Sequence, residues 1–150
     1  MPGKLVLVDT NVIVAAVAEA HEHHGPSLAI FSTEPPLQLA VAAHCYAEAF
    51  TTLTRRGDHA PFRWPPNEAW AALESVAAVT QLVGLTPAQS FGAVRDFAGA
   101  GHIGARVYDY LIAQAAQSAG ADMLVTWNVG HFRDLVDGVH VVTPAEMGGS

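Results

Sequence analysis

An α/β domain built on a parallel sheet is the fold this sequence predicts, and three observations carry the prediction. Five short apolar runs, KLVLV, LQLAVA, TQLVGL, DMLVTW and VHVV, are separated by stretches with the three-to-four spacing of helices. The runs do not alternate apolar with polar residues, so each suits a strand covered on both faces. The segments between them are long enough for right-handed helical crossovers. With 150 residues, 51% of them apolar and 14% charged, the chain reads as one domain over residues 1–150, too hydrophobic for disorder and able to bury about 68–70% of its unfolded surface.

The first strand runs from Lys4 to Val8 and stops at Asp9; Thr10 and Asn11 can cap the short helix that follows to about Glu19. After HEHHGP, a second helix covers SLAIFST with Pro26 near its first turn, and Pro35 and Pro36 end it. Leu37 to Ala42 is the second strand. Helical periodicity then holds from about Ala43 to Arg56, and Gly57 stops it. GDHAPFRWPPN, with its three prolines, is a loop of the kind often used for binding. Asn67 caps a helix through Val79, TQLVGL is the third strand, and Thr86-Pro87 caps a helix over AQSFGAVRDFAGA. Ala105 to Ala119 is a strong helix closed by Gly120, and DMLVTW is the fourth strand. NVGHFRDL is a loop with one helical turn, Val139 to Val142 the fifth strand, and the end frays.

Fourteen acids against seven bases give a formal charge of −7. That disfavours a broad electrostatic footprint on nucleic acid, which rests on Lys and Arg at phosphates. It leaves open action on nucleic acid through bound metal ions, and a basic protein partner. The lone Cys45 cannot form an internal disulfide, which fits a reducing compartment and makes the cytoplasm the expected location. No apolar run approaches the roughly 20 residues of a membrane helix, and the run before Asp9 is too short for a signal-peptide core. Neither membrane insertion nor export is expected.

Most of the acids fall at helix ends, on polar faces or in loops, where charged side chains are ordinarily solvated. Three stand apart. Asp9 emerges directly from the first strand, either as a helix N-cap or as a site acid. Glu48 shares a stripe with His44, Thr51 or Thr52 and Arg55 on an otherwise apolar helix, and is read either as a solvated Glu48–Arg55 pair or as a ligand. Asp109 stands on a largely apolar helix face, where an unpaired carboxylate would take up a proton unless a cation, Arg106 or a metal, sits beside it. A strand-end Asp and two helix-borne acids form an oxygen donor set suited to Mg²⁺ or Mn²⁺. His21, His23 and His24 lack the cysteine or paired acid that would complete a zinc site, so a polar turn is the better reading.

Four motifs, VDTNV at Val8 to Val12, YAEAF at Tyr46 to Phe50, VYDYLIA at Val107 to Ala113 and GADMLVTWNVGHF at Gly120 to Phe132, together resemble the PIN-domain family, and within it the VapC-type toxins of bacterial toxin–antitoxin pairs. The resemblance spans nearly the whole chain and rests on the four motifs in order, none of them specific alone. It implies a three-layer α/β/α domain around a parallel sheet of four to five short strands, Mg²⁺- or Mn²⁺-dependent endoribonuclease activity, a homodimer, and an antitoxin partner. Asp9, Glu48 and Asp109 match the family's first three acids, and Asn11 and Thr126 match polar positions that often line its pocket. At the fourth acid this chain departs from the pattern with Asn128, whose amide can ligate but carries no charge; that puts a second metal ion in doubt. Asp122 is read as a strand-start residue rather than as compensation for that acid, and His131 as a substrate contact or a loop cap.

On this resemblance Asp9 and Asp109 bind the metal, and Glu48 binds it or orients the attacking water. Arg55, Arg56 and Arg63 around the proline-rich loop, with His59 and Trp64 as a stacking platform, are the candidates for gripping RNA, against a reading as a solvated helix end. Two rivals stand beside the nuclease. A phosphohydrolase with Asp9 as nucleophile needs a second Asp where Asn11 stands, and a PIN-like module that binds RNA or a partner without cutting would explain Asn128.

Overall fold

The computed structural model describes residues 4–148. Five strands, β1 (Leu5–Val8), β2 (Gln38–Ala42), β3 (Gln81–Val83), β4 (Met123–Val125) and β5 (His140–Val142), form one all-parallel sheet in the order β3-β2-β1-β4-β5. Between β1 and β2 lie α1 (Thr10–Val17), α2 (His24–Ala29) and a 3-10 turn; α3 (Ala43–Thr54) and α4 (Pro66–Ala77) lead to β3. The chain then returns through α5 (Pro87–Gly99) and α6 (Arg106–Ser118) to β4, and α7 (Val129–Phe132), β5 and α8 (Pro144–Gly148) complete it.

The strand order dictates the layers. From β1 the chain moves outward to β2 and β3, then jumps back past β1 to β4 and β5; right-handed crossovers therefore put α1 to α4 on one face and α5 to α7 on the other. Contacts agree, α1 packing on α2, α3 and α4, and α6 on α5 and α7. This is the α/β/α arrangement the sequence implied. The middle strands β1, β2 and β4 are buried on both faces, with Leu7, Val8, Ala40, Val41, Leu124 and Val125 wholly enclosed; the edge strand β3, with a neighbour on one side only, is not, and its Leu82 is 70% exposed.

Where the boundaries differ from those expected, local chemistry explains the shift. Asp9 itself, rather than Thr10 or Asn11, is the N-cap of α1, its Oδ1 accepting from Thr10 N at 2.7 Å. Helix α1 ends at Val17, two residues early, and α2 begins at His24, ahead of Pro26. Pro65 caps α4 and Pro66 takes the first helical position, where its missing N–H costs nothing, so Asn67 lies inside the helix. The expected frayed end contains α8 instead, because Thr143 and Glu146 exchange hydrogen bonds of 3.2 and 3.1 Å in a capping box. Residues 149–150, also expected to fray, lie outside the described residues.

Two expected devices are present. Thr86 and Gln89 form the capping box of α5. Gly120, at φ 72°, closes α6 by letting Ala121 N reach back to Ala116 O at 2.9 Å, which turns the chain straight into β4. Asp122 is indeed a strand-start residue: its Oδ2 accepts from Leu5 N at 2.9 Å and ties β4 to the start of β1.

The segment after β4 is anchored by Phe132, whose ring is fully enclosed in the core. Truncation to Phe132→Ala should cost about 3–5 kcal/mol, measured by urea denaturation; a loss within the noise would mean that α7 is not pinned through this ring.

Candidate functional site

Strands β1 and β4 are neighbours whose connections leave in opposite directions, so the crevice beyond their carboxyl ends is the topological switch point of the sheet. Asp9 stands there as the first residue past β1, its amide donating to Val125 O at 3.0 Å and continuing the β1–β4 ladder by one step. Thr126 is the first residue past β4. Its hydroxyl donates to Asp9 Oδ2 at 2.7 Å, and both side chains are buried, Thr126 at 0% and Asp9 at 5% exposure.

An open cleft of about 370 Å³ lies over this point, lined by Asp9, Thr10, Asn11, Glu48 and Asp109, by Asn128, and by His21 and Phe62 among others. The three acids singled out in the sequence thus converge from β1, α3 and α6. Thr10 bridges two of them: its amide serves Asp9, and its hydroxyl donates to Glu48 Oε1 at 3.2 Å. The Glu48–Arg55 pair does not form; beyond Thr10, the neighbour of Glu48 is His44, at 3.7 Å. Asp109 falls in the first turn of α6, where the helix dipole favours a carboxylate. The side chain beside it is His131, whose Nδ1 is 3.6 Å from Oδ2, while Arg106 is hydrogen-bonded to His131 O at 2.8 Å and Asp134 at 3.3 Å and acts on Asp109 through its charge alone.

The amides form a scaffold around these acids. Asn11 Oδ1 accepts from Trp127 N at 3.1 Å, and its Nδ2 donates to Thr126 Oγ1 at 3.4 Å. Asn128 N donates to the same hydroxyl at 3.0 Å, and Asn128 lines the cleft. Thr126 corrects the expectation of a pocket-lining residue. It lies beneath the cleft and acts through Asp9.

Burial pushes the Asp9 carboxyl up to about 7, and the charges of Asp109 and Glu48 add to the rise, against the hydrogen bonds from Thr126 and Thr10. Glu48 is raised chiefly by burial, then by Asp109 against the Thr10 bond, and Asp109 is raised by burial against the pull of His131 and Arg106. Three carboxylates on one cleft, Asp9 buried and Glu48 and Asp109 partly so, each made harder to ionise, form a site that a divalent cation would neutralise. The tightest set of ligand-type atoms among the described residues is different: His44, Cys45 and Glu48 lie within 4.8 Å of one another. Burial pushes the Cys45 thiol up, so it stays protonated and offers no thiolate. Mg²⁺, which binds a few carboxylates and keeps several waters, takes oxygen donors of the kind that Asp9, Glu48 and Asp109 present to the cleft.

The expected RNA-gripping arginines do not line the cleft. Arg55, Arg56 and Arg63 are exposed, and two are spent on their own loop: Arg56 donates to Arg63 O at 3.0 Å, and Arg63 to Gly57 O. Instead the proline-rich loop brings Pro61 and Phe62 to the cleft. The three histidines form the polar turn expected, with His23 N donating to His21 Nδ1 at 3.0 Å and His24 Nδ1 bound to Ala15 O at 2.9 Å. Sequence reasoning missed Thr10, His21 and Phe62 as cleft residues. Only Thr10, adjacent to Asp9, carried a usable signal.

Among known proteins, a family model described as the PIN domain matches residues 6–135. No curated protein matches the chain in sequence. Among solved structures, Mycobacterium tuberculosis VapC20, described as a sarcin–ricin loop cleaving toxin, shares the fold with a TM-score of 0.68 at 18% identity, over 90% of this chain and 98% of its own. VapBC2 from Rickettsia felis, bound to a DNA fragment from its promoter, gives 0.64 at 16%, covering 93% and 98%. VapBC-1 from nontypeable Haemophilus influenzae gives 0.64 at 17%, covering 94% and 98%.

The raised Asp9 pKa carries a sign that can be checked. A carboxyl near 7 in the folded chain and near 3.8 unfolded binds more protons folded, so stability falls as pH rises between those values. Wild type in chelator should therefore lose stability from about pH 4 to pH 7, on the order of 2–4 kcal/mol. Asp9→Asn should show a flatter profile and be the more stable at pH 7.5 or above (roughly, half a unit past the folded value). Denaturant midpoints across pH measure this, and parallel profiles for the two proteins would refute it.

Proposed function

The chain belongs to the PIN domain family, and from that premise we propose that it is a metal-dependent endoribonuclease, the toxin of a type II toxin–antitoxin pair. The observation that carries the reading is the convergence of Asp9, Glu48 and Asp109 on one cleft at the switch point of the sheet, all three held toward the neutral form until a cation arrives. Asp9 and Asp109 would hold Mg²⁺ or Mn²⁺, with Glu48 as a further ligand or as the group that orients water. Bound there, the ion would supply an acidified water and charge stabilisation for hydrolysis of an RNA phosphodiester, leaving a 5′-phosphate and a 3′-hydroxyl.

The protein's own residues do the positioning. Thr126 and Thr10 fix the two oxygens of Asp9, so that carboxylate has one orientation. Thr10 does the same for one oxygen of Glu48, which leaves the other free for water. Asn11 and Asn128 present amides to the cleft, and Asn128 in place of a fourth acid fits one ion better than two.

An antitoxin partner is supported by the fold neighbours solved as VapBC complexes, and a homodimer by the family resemblance. An acidic cleft is also open to a partner that inserts Arg or Lys where the cation would sit. Arg55, Arg56 and Arg63, exposed beside the cleft's loop wall, remain the candidates for RNA phosphates. No helix among the described residues is long and apolar enough to cross a membrane. The uncharged Asn128 favours a second reading, in which the cleft binds RNA without cutting.

Purified protein with Mg²⁺ or Mn²⁺ should cut total RNA into discrete fragments bearing 5′-phosphates. Chelator, Asp9→Asn or Asp109→Asn should each lower the rate by about a hundredfold or more, as loss of a term worth several kcal/mol requires. Folded wild type that is inert with either metal, in protein freed of any bound inhibitor, would move the binding module to first place.

A further inference from the structure

The cleft has an aromatic stretch beside its acidic one. His21, from the turn between α1 and α2, and Phe62, from the proline-rich loop, both line it. Their rings are nearly parallel, at 18°, with centroids 6.4 Å apart. That separation is near the outer limit of direct ring stacking, so the two gain little from each other and a third ring has faces to meet.

Both rings are held from behind. His23 lies flat on Trp127, centroids 3.9 Å apart at 14°, and Trp127 Nε1 donates to the buried Ser27 hydroxyl at 2.8 Å. His23 N in turn donates to His21 Nδ1 at 3.0 Å, which leaves Nε2 to carry the proton of the neutral ring. Burial and the neighbouring histidines lower the His21 pKa and so favour that neutral ring. Phe62 meets Trp64 edge-on at 6.3 Å, and Trp64 N is fixed to Leu53 O at 2.7 Å. Such a surface is made in advance of any ligand.

The chemistry of the rest of the cleft says which ligand. Its charged side chains are Asp9, Glu48 and Asp109, and none of its lining residues is Lys or Arg. A polyanion cannot be held here by phosphate neutralisation alone; flat faces that accept any base add affinity without charge. Resting on the nuclease reading above, we propose that His21 and Phe62 form a stacking subsite for one unpaired nucleobase next to the scissile phosphate, and that this pair helps to set which RNA is cut.

The test uses the full chain and oligoribonucleotides carrying a single 2-aminopurine, with Ca²⁺ in place of Mg²⁺. Wild type should quench the probe on binding, Phe62→Leu and His21→Ala should each weaken binding roughly five- to a hundredfold, and Phe62→Trp should retain it. With Mg²⁺, an abasic residue at the stacked position should raise KM for wild type by a similar factor and add little to the defect of Phe62→Leu. Absence of quenching at every probe position, unchanged affinity in both truncated variants, or abasic and Phe62→Leu effects that multiply would each overturn the subsite. RNA cut by wild type without quenching would leave the nuclease standing and remove the subsite. Quenching that depends on Phe62 in a protein that cuts nothing would do the reverse.

Discussion

The bond from the Thr126 hydroxyl to Asp9 Oδ2 is the constraint around which the rest of this site is arranged. It joins the first residues past β1 and β4, at the one place where the sheet opens toward both helical layers. A carboxylate there would lose most of its hydration, a cost of several kcal/mol if nothing replaced the water. The hydroxyl and the Thr10 amide replace part of it. The remainder raises the Asp9 carboxyl to about 7, so a cation bound beside it would favour its ionised form.

The same hydroxyl organises the neighbouring chain. Thr126 Oγ1 accepts from Asn128 N and Asn11 Nδ2, and Asn11 reaches on to Trp127 N. The turn out of β4 is therefore shaped by the residues that start α1. Trp127 is aimed away from the cleft to Ser27, and Asn128 toward it. Geometry at the acids and geometry at the aromatic turn are coupled through one short polar network, so a change at Thr126 would be felt by both.

The strands and most helices were legible because parallel strands between two layers read as unbroken apolar runs and the helices carry their own caps. Thr86 and Gly120 announced their elements in the sequence. The differences have local causes: Pro66 fits the first helical position better than the position before it, and the Thr143–Glu146 box holds a helical turn where fraying is expected. Asp9, Glu48 and Asp109 stood out as acids in apolar settings, a property of each segment alone. Phe62 and His21 did not, because an aromatic in a loop and a histidine in a turn gain meaning only when two distant segments meet.

On the proposed nuclease reading, an acidic chain has to separate its grip on RNA from the chemistry. Lys and Arg inside the cleft would pair with Asp9, Glu48 or Asp109 and compete with the cation proposed to bind there. The structure keeps them out: Arg106 is turned to His131 O and Asp134, and Arg56 and Arg63 to the carbonyls of their own loop. What reaches the cleft from that loop is Pro61 and the Phe62 ring, and an aromatic ring can stack on a base without pairing with the carboxylates. On that reading, charge at the loop's exposed edge and flat apolar surface within would let a cluster of acids and a polyanion share one cleft.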